Sequence, residues 1–134
     1  MKEYKAPQKE FSFILDELID YTQHSKMPGF EDAGRDVVDA IIPEAAKFYE
    51  DIVAPTNFSS DKEGTLFSNG AVVTASPLRN AYEKMVEGGW ICLNGDVEHG
   101  GAGLPNVVDL INQEMIQDIG VLLIQDFLVC LTQI

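Results

Sequence analysis

The sequence predicts a mainly α-helical fold with about five helices and at most one small β-hairpin. Apolar residues recur at helical spacing in four separate segments, which indicates amphipathic helices. The pair Asn69-Gly70 between two short apolar runs is the sign of a hairpin. With 134 residues, 46% of them hydrophobic and 23% charged, the chain has enough apolar material for the core of one domain.

The first predicted helix covers residues 10–21. Its apolar residues follow the i, i+3, i+4, i+7, i+8 pattern of one helical face: Phe11, Ile14, Leu15, Leu18 and Ile19. The next segment, residues 24–34, contains Pro28, Gly29 and Gly34 and is predicted to be a connecting loop, because the residue before proline avoids helix and glycine permits turns.

The second predicted helix carries an apolar stripe and ends at Ala54-Pro55. The stripe consists of Val38, Ile41, Ile42, Ala45, Phe48 and Ile52. Pro43 lies in its middle, where proline removes one backbone hydrogen bond and clashes with the preceding turn. We therefore expect either a kink or two short helices, with Pro43 in the first turn of the second.

Residues 56–75 show no helical period, but they contain the pair Asn69-Gly70 between two apolar runs, which predicts a small exposed hairpin. Ser76-Pro77 then predicts the start of a helix, with Ser76 as N-cap and Pro77 at the first helical position. The stripe of this helix is Leu78, Ala81, Tyr82, Met85 and Val86, and Gly88-Gly89 is expected to end it.

After a short buried link at residues 90–93 and a loop at residues 94–104, Pro105 is expected to open a fourth helix. Its apolar positions are Val108, Ile111, Met115 and Ile119. A last helix is predicted from Val121 onward. Residues 119–134 hold 11 apolar positions of 16, fewer than the roughly 20 residues that cross a bilayer. We expect a core helix and no membrane span.

The charge balance excludes several classes of partner. The chain has 22 acidic and 9 basic side chains, a net charge of −13, so it lacks the basic surface that nucleic acids and anionic membranes require. The charged N-terminus has no apolar signal region, and a cytoplasmic location is expected. Cys92 and Cys130 are expected to be free, buried thiols, since nothing near them suggests a disulfide or a zinc site.

Two local features suggest chemistry. The run Gly100-Gly101-Ala102-Gly103-Leu104-Pro105 precedes a helix and has two interpretations, a phosphate-binding loop or a tight structural turn. His99, with Asp96 and Glu98 before it, has the composition of a metal or acid-base cluster but lacks ligand spacing, so a surface loop is the preferred interpretation. His24 is expected to be a solvated loop residue. No catalytic nucleophile or metal site is predicted.

Three blocks of residues, in fixed order over residues 4–115, resemble the acyl-CoA dehydrogenases. Tyr4-Lys5-Ala6-Pro7 with residues 11–18 is similar to the N-terminal extension of one subgroup of that family. Residues 38–57 are similar to the next helix of the subgroup. The third block resembles the pattern AY, EGGW, GGxGLP, NEM; it consists of Ala81-Tyr82, Glu87-Gly88-Gly89-Trp90, residues 100–105, Asn112 and Glu114-Met115.

The resemblance implies the helical N-terminal domain of a three-domain flavoenzyme. Residues 1–33 are expected to form an extension helix and loop, and residues 34–134 the domain itself, cut short at its C-terminal end. In this family FAD is held mainly by the later domains, and a glutamate far down the chain removes the α-proton of an acyl-CoA thioester. A hydride passes to the flavin and electrons leave to an electron-transfer flavoprotein. This chain is therefore expected to carry no catalytic residue, to bind no FAD alone and to be inactive alone.

The resemblance also implies that the domain forms part of the wall of the acyl pocket. The candidates are Met115, Ile119, Leu122 and Leu123. The family has small residues and an Asn after the Glu-Met pair, whereas this chain has bulky ones, which would fill the space of a thioester tail. Gly100, Gly101, Gly103, Leu104 and Pro105 are expected to be structural.

Three hypotheses follow. The first is a truncated or excised N-terminal domain of an acyl-CoA dehydrogenase. The second is a repurposed helical interaction module that uses its apolar C-terminal end for self-association or for a partner. The third is an independent protein that binds acyl-CoA or fatty acids.

Overall fold

The computed structural model describes residues 3–119. The order of elements is α1 (Gln8–Phe13), α2 (Tyr21–His24), α3 (Arg35–Phe48), α4 (Thr56–Glu63), β1 (Leu66–Ser68), β2 (Ala71–Val73), α5 (Ser76–Glu87) and α6 (Asn106–Ile119). Two π-helical turns, Ile14–Leu18 and Tyr49–Val53, continue α1 and α3. The prediction of a mainly α fold with one small hairpin is confirmed. The predicted last helix and Cys130 lie outside the described residues.

The first predicted helix is wrong in its second half. After α1 the backbone forms a π turn, in which the Ile19 N–H donates to the Ile14 carbonyl oxygen over 3.0 Å. A π turn takes one residue more than an α turn and so rotates the following side chains around the axis. Leu15 is fully buried, but Leu18 is 70% exposed. Asp20 then adopts a left-handed backbone (φ 49°), and α2 starts after it. The loop predicted for residues 24–34 is confirmed from residue 25 onward.

The second predicted helix is not divided at Pro43, so the prediction of two short helices is wrong. α3 runs from Arg35 to Phe48 without interruption, with Pro43 on its exposed side. The second π turn follows, closed by the Ala54 N–H on the Tyr49 carbonyl oxygen at 2.8 Å. Tyr49 and Val53 in this turn are fully buried. Packing on the opposite face holds α3 together despite the proline.

The helix α4 was not predicted, because its sequence has no apolar stripe. Its single large apolar residue, Phe58, is exposed, and only Ser60 is buried. The helix follows directly from the second π turn, and the Thr56 hydroxyl donates to the Val53 carbonyl oxygen over 2.7 Å. Local hydrogen bonds therefore form this helix where hydrophobic burial does not.

The predicted hairpin is confirmed. β1 and β2 pair antiparallel, with Leu66 opposite Val73 and Phe67 opposite Val72. Asn69 (φ 52°) and Gly70 (φ 79°) both have the positive φ that this two-residue turn needs. In this chain the hairpin leads from α4 into α5.

α5 begins and ends where predicted, but its first residue has another role. The Ser76 side chain does not cap the helix; its backbone N–H and its hydroxyl both donate to Glu63 Oε1, each over 2.9 Å. Glu63 and Ser76 stand at the two ends of the hairpin, so these bonds tie its base together. The helix ends at Glu87 before Gly88-Gly89, as predicted.

The core lies between α1, α3 with its π turn, and α6. Its largest fully buried side chains include Phe11, Leu15, Tyr21, Tyr49 and Met115. In the link at residues 90–93, Leu93 is buried and Trp90 half-buried, but Cys92 is exposed, which corrects the prediction of a buried thiol. No helix within residues 3–119 is long and apolar enough to cross a membrane.

The N-terminal segment before α1 is held against the second π turn. Glu50 accepts from the backbone N–H of Ala6 and from Lys5 Nζ, both at 2.9 Å. The pKa of Glu50 is lowered by the Lys5 ammonium group. The hydroxyl of Tyr4 is buried without a hydrogen-bond partner, and burial together with nearby carboxylates raises the pKa of Tyr4 to about 12.

Candidate functional site

The glycine-rich motif loop, residues 100–105, connects the link after α5 to α6. Gly100 and Gly103 have positive φ angles of 86° and 65°. A Cβ at Gly101 would overlap the carbonyl group of Gly95, so only glycine fits there. The glycines therefore allow the backbone to reverse its direction sharply.

The backbone donors of this loop are already used. Each N–H from Gly100 to Leu104 donates to a carbonyl oxygen of residues 92–97, over 2.8 to 3.1 Å. A phosphate-binding loop needs such donors free and pointing at the ligand. The arrangement supports the interpretation as a tight structural turn and does not fit the pyrophosphate of a dinucleotide. The structural role expected for Gly100, Gly101, Gly103, Leu104 and Pro105 stays a prediction.

The acidic residues before the loop form a surface turn. The Asp96 side chain accepts from the Glu98 N–H at 2.9 Å and caps the short 3₁₀ turn Val97–His99. His99 is strongly exposed, and its Nδ1 lies 3.9 Å from Asp96 Oδ2. In the part of the chain that the structure describes, no three His, Cys, Asp or Glu side chains are grouped to hold a metal ion. His99 is a surface loop residue, as preferred from the sequence.

An open cleft lies between the loop after α2 and the motif loop. Its volume is about 350 Å³. The cleft is lined by one histidine, two asparagines and otherwise by apolar residues and glycine: His24, Phe30, Asn94, Gly103, Leu104, Pro105, Asn106 and Val107. Asn94 Nδ2 donates to Asn106 Oδ1 over 2.9 Å. The cleft brings two separate sequence features, His24 and the motif loop, to one place.

His24 is half-buried and not a solvated loop residue, which corrects the sequence prediction. Its ring stacks on Tyr21 with 5.9 Å between centroids, and its Nδ1 is buried without a hydrogen-bond partner. The Tyr21 hydroxyl donates to the Ala33 carbonyl oxygen at 2.9 Å and so fixes the stack. Packing thus orients the imidazole, and among residues 3–119 no carboxylate is hydrogen-bonded to its Nδ1.

The acyl-pocket candidates lie on and beyond α6. Met115 and Ile119 are buried in the hydrophobic core, on the face of α6 directed at α3 and the second π turn. They do not line the cleft. Leu122 and Leu123 lie outside the described residues. The end of α6 is fixed by Asn57, whose Nδ2 donates to the Ile119 carbonyl oxygen over 2.7 Å.

A buried polar chain crosses the core. The Tyr49 hydroxyl donates to Asn112 Oδ1, and Asn112 Nδ2 donates to the Trp90 carbonyl oxygen, each over 2.8 Å. Tyr49 and Asn112 are almost fully buried. Burial raises the pKa of Tyr49, so the hydroxyl stays neutral. These two hydrogen bonds join the second π turn, α6 and the link after α5.

Sequence reasoning did not identify this polar chain. Its one signal is Asn112, a polar residue on the apolar side of α6 and a member of the NEM pattern. Its function here is positional, since a neutral tyrosine and an amide supply neither a base nor a nucleophile. Within residues 3–119 the arrangement is that of a scaffold that fixes helices.

Comparison with known proteins finds a significant similarity to an acyl-CoA dehydrogenase. A 3-methylmercaptopropionyl-CoA dehydrogenase of Ruegeria pomeroyi is 31% identical over 113 residues, which are 84% of this chain and 19% of that protein. The chain thus spans about a fifth of the length of this relative. No family model matches the chain. The similarity supports the resemblance to acyl-CoA dehydrogenases that the sequence motifs indicate.

Proposed function

We propose that this chain is the helical N-terminal domain of an FAD-dependent acyl-CoA dehydrogenase, a domain that shapes the enzyme and performs no step of the reaction itself. The observation that carries the proposal is the 31% identity over 84% of the chain to an acyl-CoA dehydrogenase. It is supported by the position of the GGxGLP and NEM motifs, whose residues form a loop with no room for a side chain at Gly101 and a buried hydrogen bond at Asn112.

In this proposal residues 1–33 are an extension that packs on the domain formed by residues 34–134. Both parts contribute to one core, since Phe11, Leu15 and Tyr21 pack with Val38 and Met115. Glu50 adds a charged contact to Lys5 across the two parts. The extension is therefore part of the same folding unit.

The contribution to function is the wall of the acyl pocket and the contacts with the rest of the enzyme. Met115 and Ile119 are buried in the core on the inner face of α6, so they support this wall from within, and Leu122 and Leu123 follow in the sequence. The flavin, the catalytic glutamate and the transfer of electrons to an electron-transfer flavoprotein are assigned to the remainder of such an enzyme. No step through FAD is assigned to this chain, because its motif loop has no free donors. A cytoplasmic location accords with this role.

A second candidate function, an interaction module, is favoured by one observation. Large apolar side chains of the hairpin are exposed, among them Leu66 and Phe67, and exposed apolar surface marks places where proteins associate. The C-terminal apolar segment proposed for self-association lies outside the described residues. The two functions are compatible, since a domain within an enzyme also presents surfaces to its neighbours.

The proposed function is tested with a chimeric enzyme. The matched 113 residues of the Ruegeria pomeroyi relative are replaced by those of this chain, and the purified protein is examined for bound flavin. We expect a folded chimera that retains FAD. A matched control carries Gly101→Val in the same chimera; the added side chain overlaps Gly95, so we expect a loss of soluble, flavin-bound protein.

A chimera that fails to hold flavin while the relative itself holds it would contradict the assignment as an equivalent domain. Equal behaviour of the chimera with and without Gly101→Val would contradict the structural role of the loop. The 134-residue chain alone, mixed with FAD and acyl-CoAs, is expected to leave the flavin absorbance unchanged, and bleaching would overturn its assignment as a domain without its own activity.

A further inference from the structure

The N-terminal strap, residues 3–7 before α1, is anchored on the second π turn by one carboxylate. Glu50 accepts from the backbone N–H of Ala6 and from Lys5 Nζ, each over 2.9 Å. The side chain of Glu50 is only 16% exposed, and hydrogen bonds to a charged group are stronger than neutral ones, the more so away from water. Next to this anchor, Tyr4 and Ala6 pack against the hydrophobic core. The strap therefore has a fixed place on the protein.

Tyr4 lies beside the C-terminal part of α6, residues 114–119. The second π turn, which carries Glu50, packs directly on α6. Three carboxylates interact electrostatically with the Tyr4 hydroxyl, those of Asp118 and Glu114 on α6 and that of Glu50 on the π turn. The Tyr4 side chain is thus located where α6 and the second π turn meet.

The ring of Tyr4, and not its hydroxyl, holds the strap in this place. The hydroxyl is buried without a hydrogen-bond partner, and such a group costs free energy. An aromatic ring packed against a core contributes through the apolar area that it buries. A phenylalanine at position 4 would therefore hold the strap at least as well, whereas an alanine would release it.

The C-terminal part of α6 is also held at a second point, by Asn57 Nδ2 on the Ile119 carbonyl oxygen. In the proposed function, Met115 and Ile119 support the wall of the acyl pocket from within. We propose that Tyr4 is a positioning residue for this wall: the strap clamps residues 114–119 of α6 and so fixes where the wall stands. This inference rests on the proposed function, but the clamp itself is measurable in the chain alone.

Amide hydrogen exchange of the 134-residue chain tests the clamp without any enzyme. In Tyr4→Ala we expect the amides of residues 114–119 to exchange at least about tenfold faster than in the wild type, because this part of α6 opens locally. Tyr4→Phe is expected to keep the wild-type rates. Phe13→Ala is the matched control, because Phe13 is an aromatic residue of the same extension but is 56% exposed. Its exchange rates are expected to stay within about twofold of wild type.

A second variant, Glu50→Gln, removes the charge of the anchor and leaves the apolar core unchanged. We expect it to accelerate exchange at residues 114–119 by a smaller factor than Tyr4→Ala, since the ion pair with Lys5 is lost and the ring of Tyr4 remains. Circular dichroism shows whether each variant keeps its helices, so that a loss of folding is recognised.

The effect on the pocket is measured in a chimera of the Ruegeria pomeroyi relative that carries this chain from residue 1. Tyr4→Ala is expected to raise the KM for 3-methylmercaptopropionyl-CoA at least about fivefold while kcat per bound flavin changes by less than about twofold, because the wall contributes binding and no reacting group. Tyr4→Phe is expected to restore the KM of the unaltered chimera. Phe13→Ala is expected to leave both constants near those of the unaltered chimera.

Wild-type exchange at residues 114–119 in folded Tyr4→Ala and Glu50→Gln would overturn the clamp. Exchange that accelerates while the KM stays unchanged and only flavin content falls would overturn the link to the pocket wall. A Tyr4→Phe variant as impaired as Tyr4→Ala would contradict the role of the ring. If the chimera with the unaltered strap fails to hold flavin, the proposed function fails, and the exchange rates of the chain alone still decide about the clamp.

Discussion

Replacing Asn112 with alanine tests the buried polar chain that joins the π turn, α6 and the link after α5. The substitution removes the partner of the Tyr49 hydroxyl and of the Trp90 carbonyl oxygen. Tyr49 is fully buried, so water does not replace the lost bond at its hydroxyl. Each orphaned buried group costs about 1–3 kcal/mol. We expect a loss of about 3 kcal/mol in the free energy of unfolding.

The assay is urea unfolding followed by the fluorescence of Trp90, the single tryptophan of the chain. Asn94→Ala is the matched control, because Asn94 is also an asparagine bonded through its amide, to Asn106, but on the surface. We expect the control to change the free energy of unfolding by less than about 0.5 kcal/mol.

A double-mutant cycle isolates the bond itself. Tyr49→Phe removes the hydroxyl with little change of shape, and its combination with Asn112→Ala is expected to cost about 1 kcal/mol less than the sum of the single variants. Additive costs, or an Asn112→Ala variant as stable as Asn94→Ala, would refute the account of a polar chain that holds three elements together.

Two further predictions concern the first π turn and the base of the hairpin. Leu15→Ala is expected to cost about 2–5 kcal/mol because Leu15 is fully buried, whereas Leu18→Ala is expected to stay within about 0.5 kcal/mol; equal costs in urea unfolding would contradict the rotated register. Hydrogen bonds from Ser76 lower the pKa of Glu63 in the folded chain, so the carboxylate stabilises the fold above its unfolded pKa and this contribution is lost as the pH falls through the folded pKa. Stability measured from about pH 5 down to about pH 3 is therefore expected to fall less in Glu63→Gln than in the wild type, and equal slopes would count against the tie at the hairpin base.

The elements that were predictable from sequence are those whose signal is local. Asn69-Gly70 specifies a turn because few other residue pairs adopt two successive positive φ angles. Gly88-Gly89 ends α5 because glycine readily adopts the positive φ angle that Gly89 has. The motif loop is interpreted as structural because its glycines do not match the spacing of a phosphate loop, and its backbone N–H groups are used within the protein.

The elements that were missed leave no signal in the periodic hydrophobic pattern of the sequence. The π turns at residues 14–18 and 49–53 leave the composition of a helix unchanged and shift only its register, which a periodic pattern drawn at 3.6 residues does not reveal. Helix α4 lacks an apolar stripe and is formed by local hydrogen bonds. The continuity of α3 at Pro43 is decided by the packing of its opposite face, which only the fold shows.

The candidate site also has features that the sequence predicts and features that it does not. The motif loop and Asn112 could be named from the resemblance, but the partner of Asn112, Tyr49, lies 63 positions away and carries no motif of its own. The half-burial of His24 was not foreseen, because it results from its stacking on Tyr21 and from the approach of the motif loop to the loop after α2.

The measurement that tests the central claim most directly is the absorbance of the flavin in the chimera when 3-methylmercaptopropionyl-CoA is added without oxygen. If this chain is the helical N-terminal domain of an acyl-CoA dehydrogenase, the bound flavin bleaches, because the chain completes the pocket that positions the thioester. A chimera that is folded and loaded with flavin, but whose absorbance does not change with the acyl-CoA, would contradict the claim.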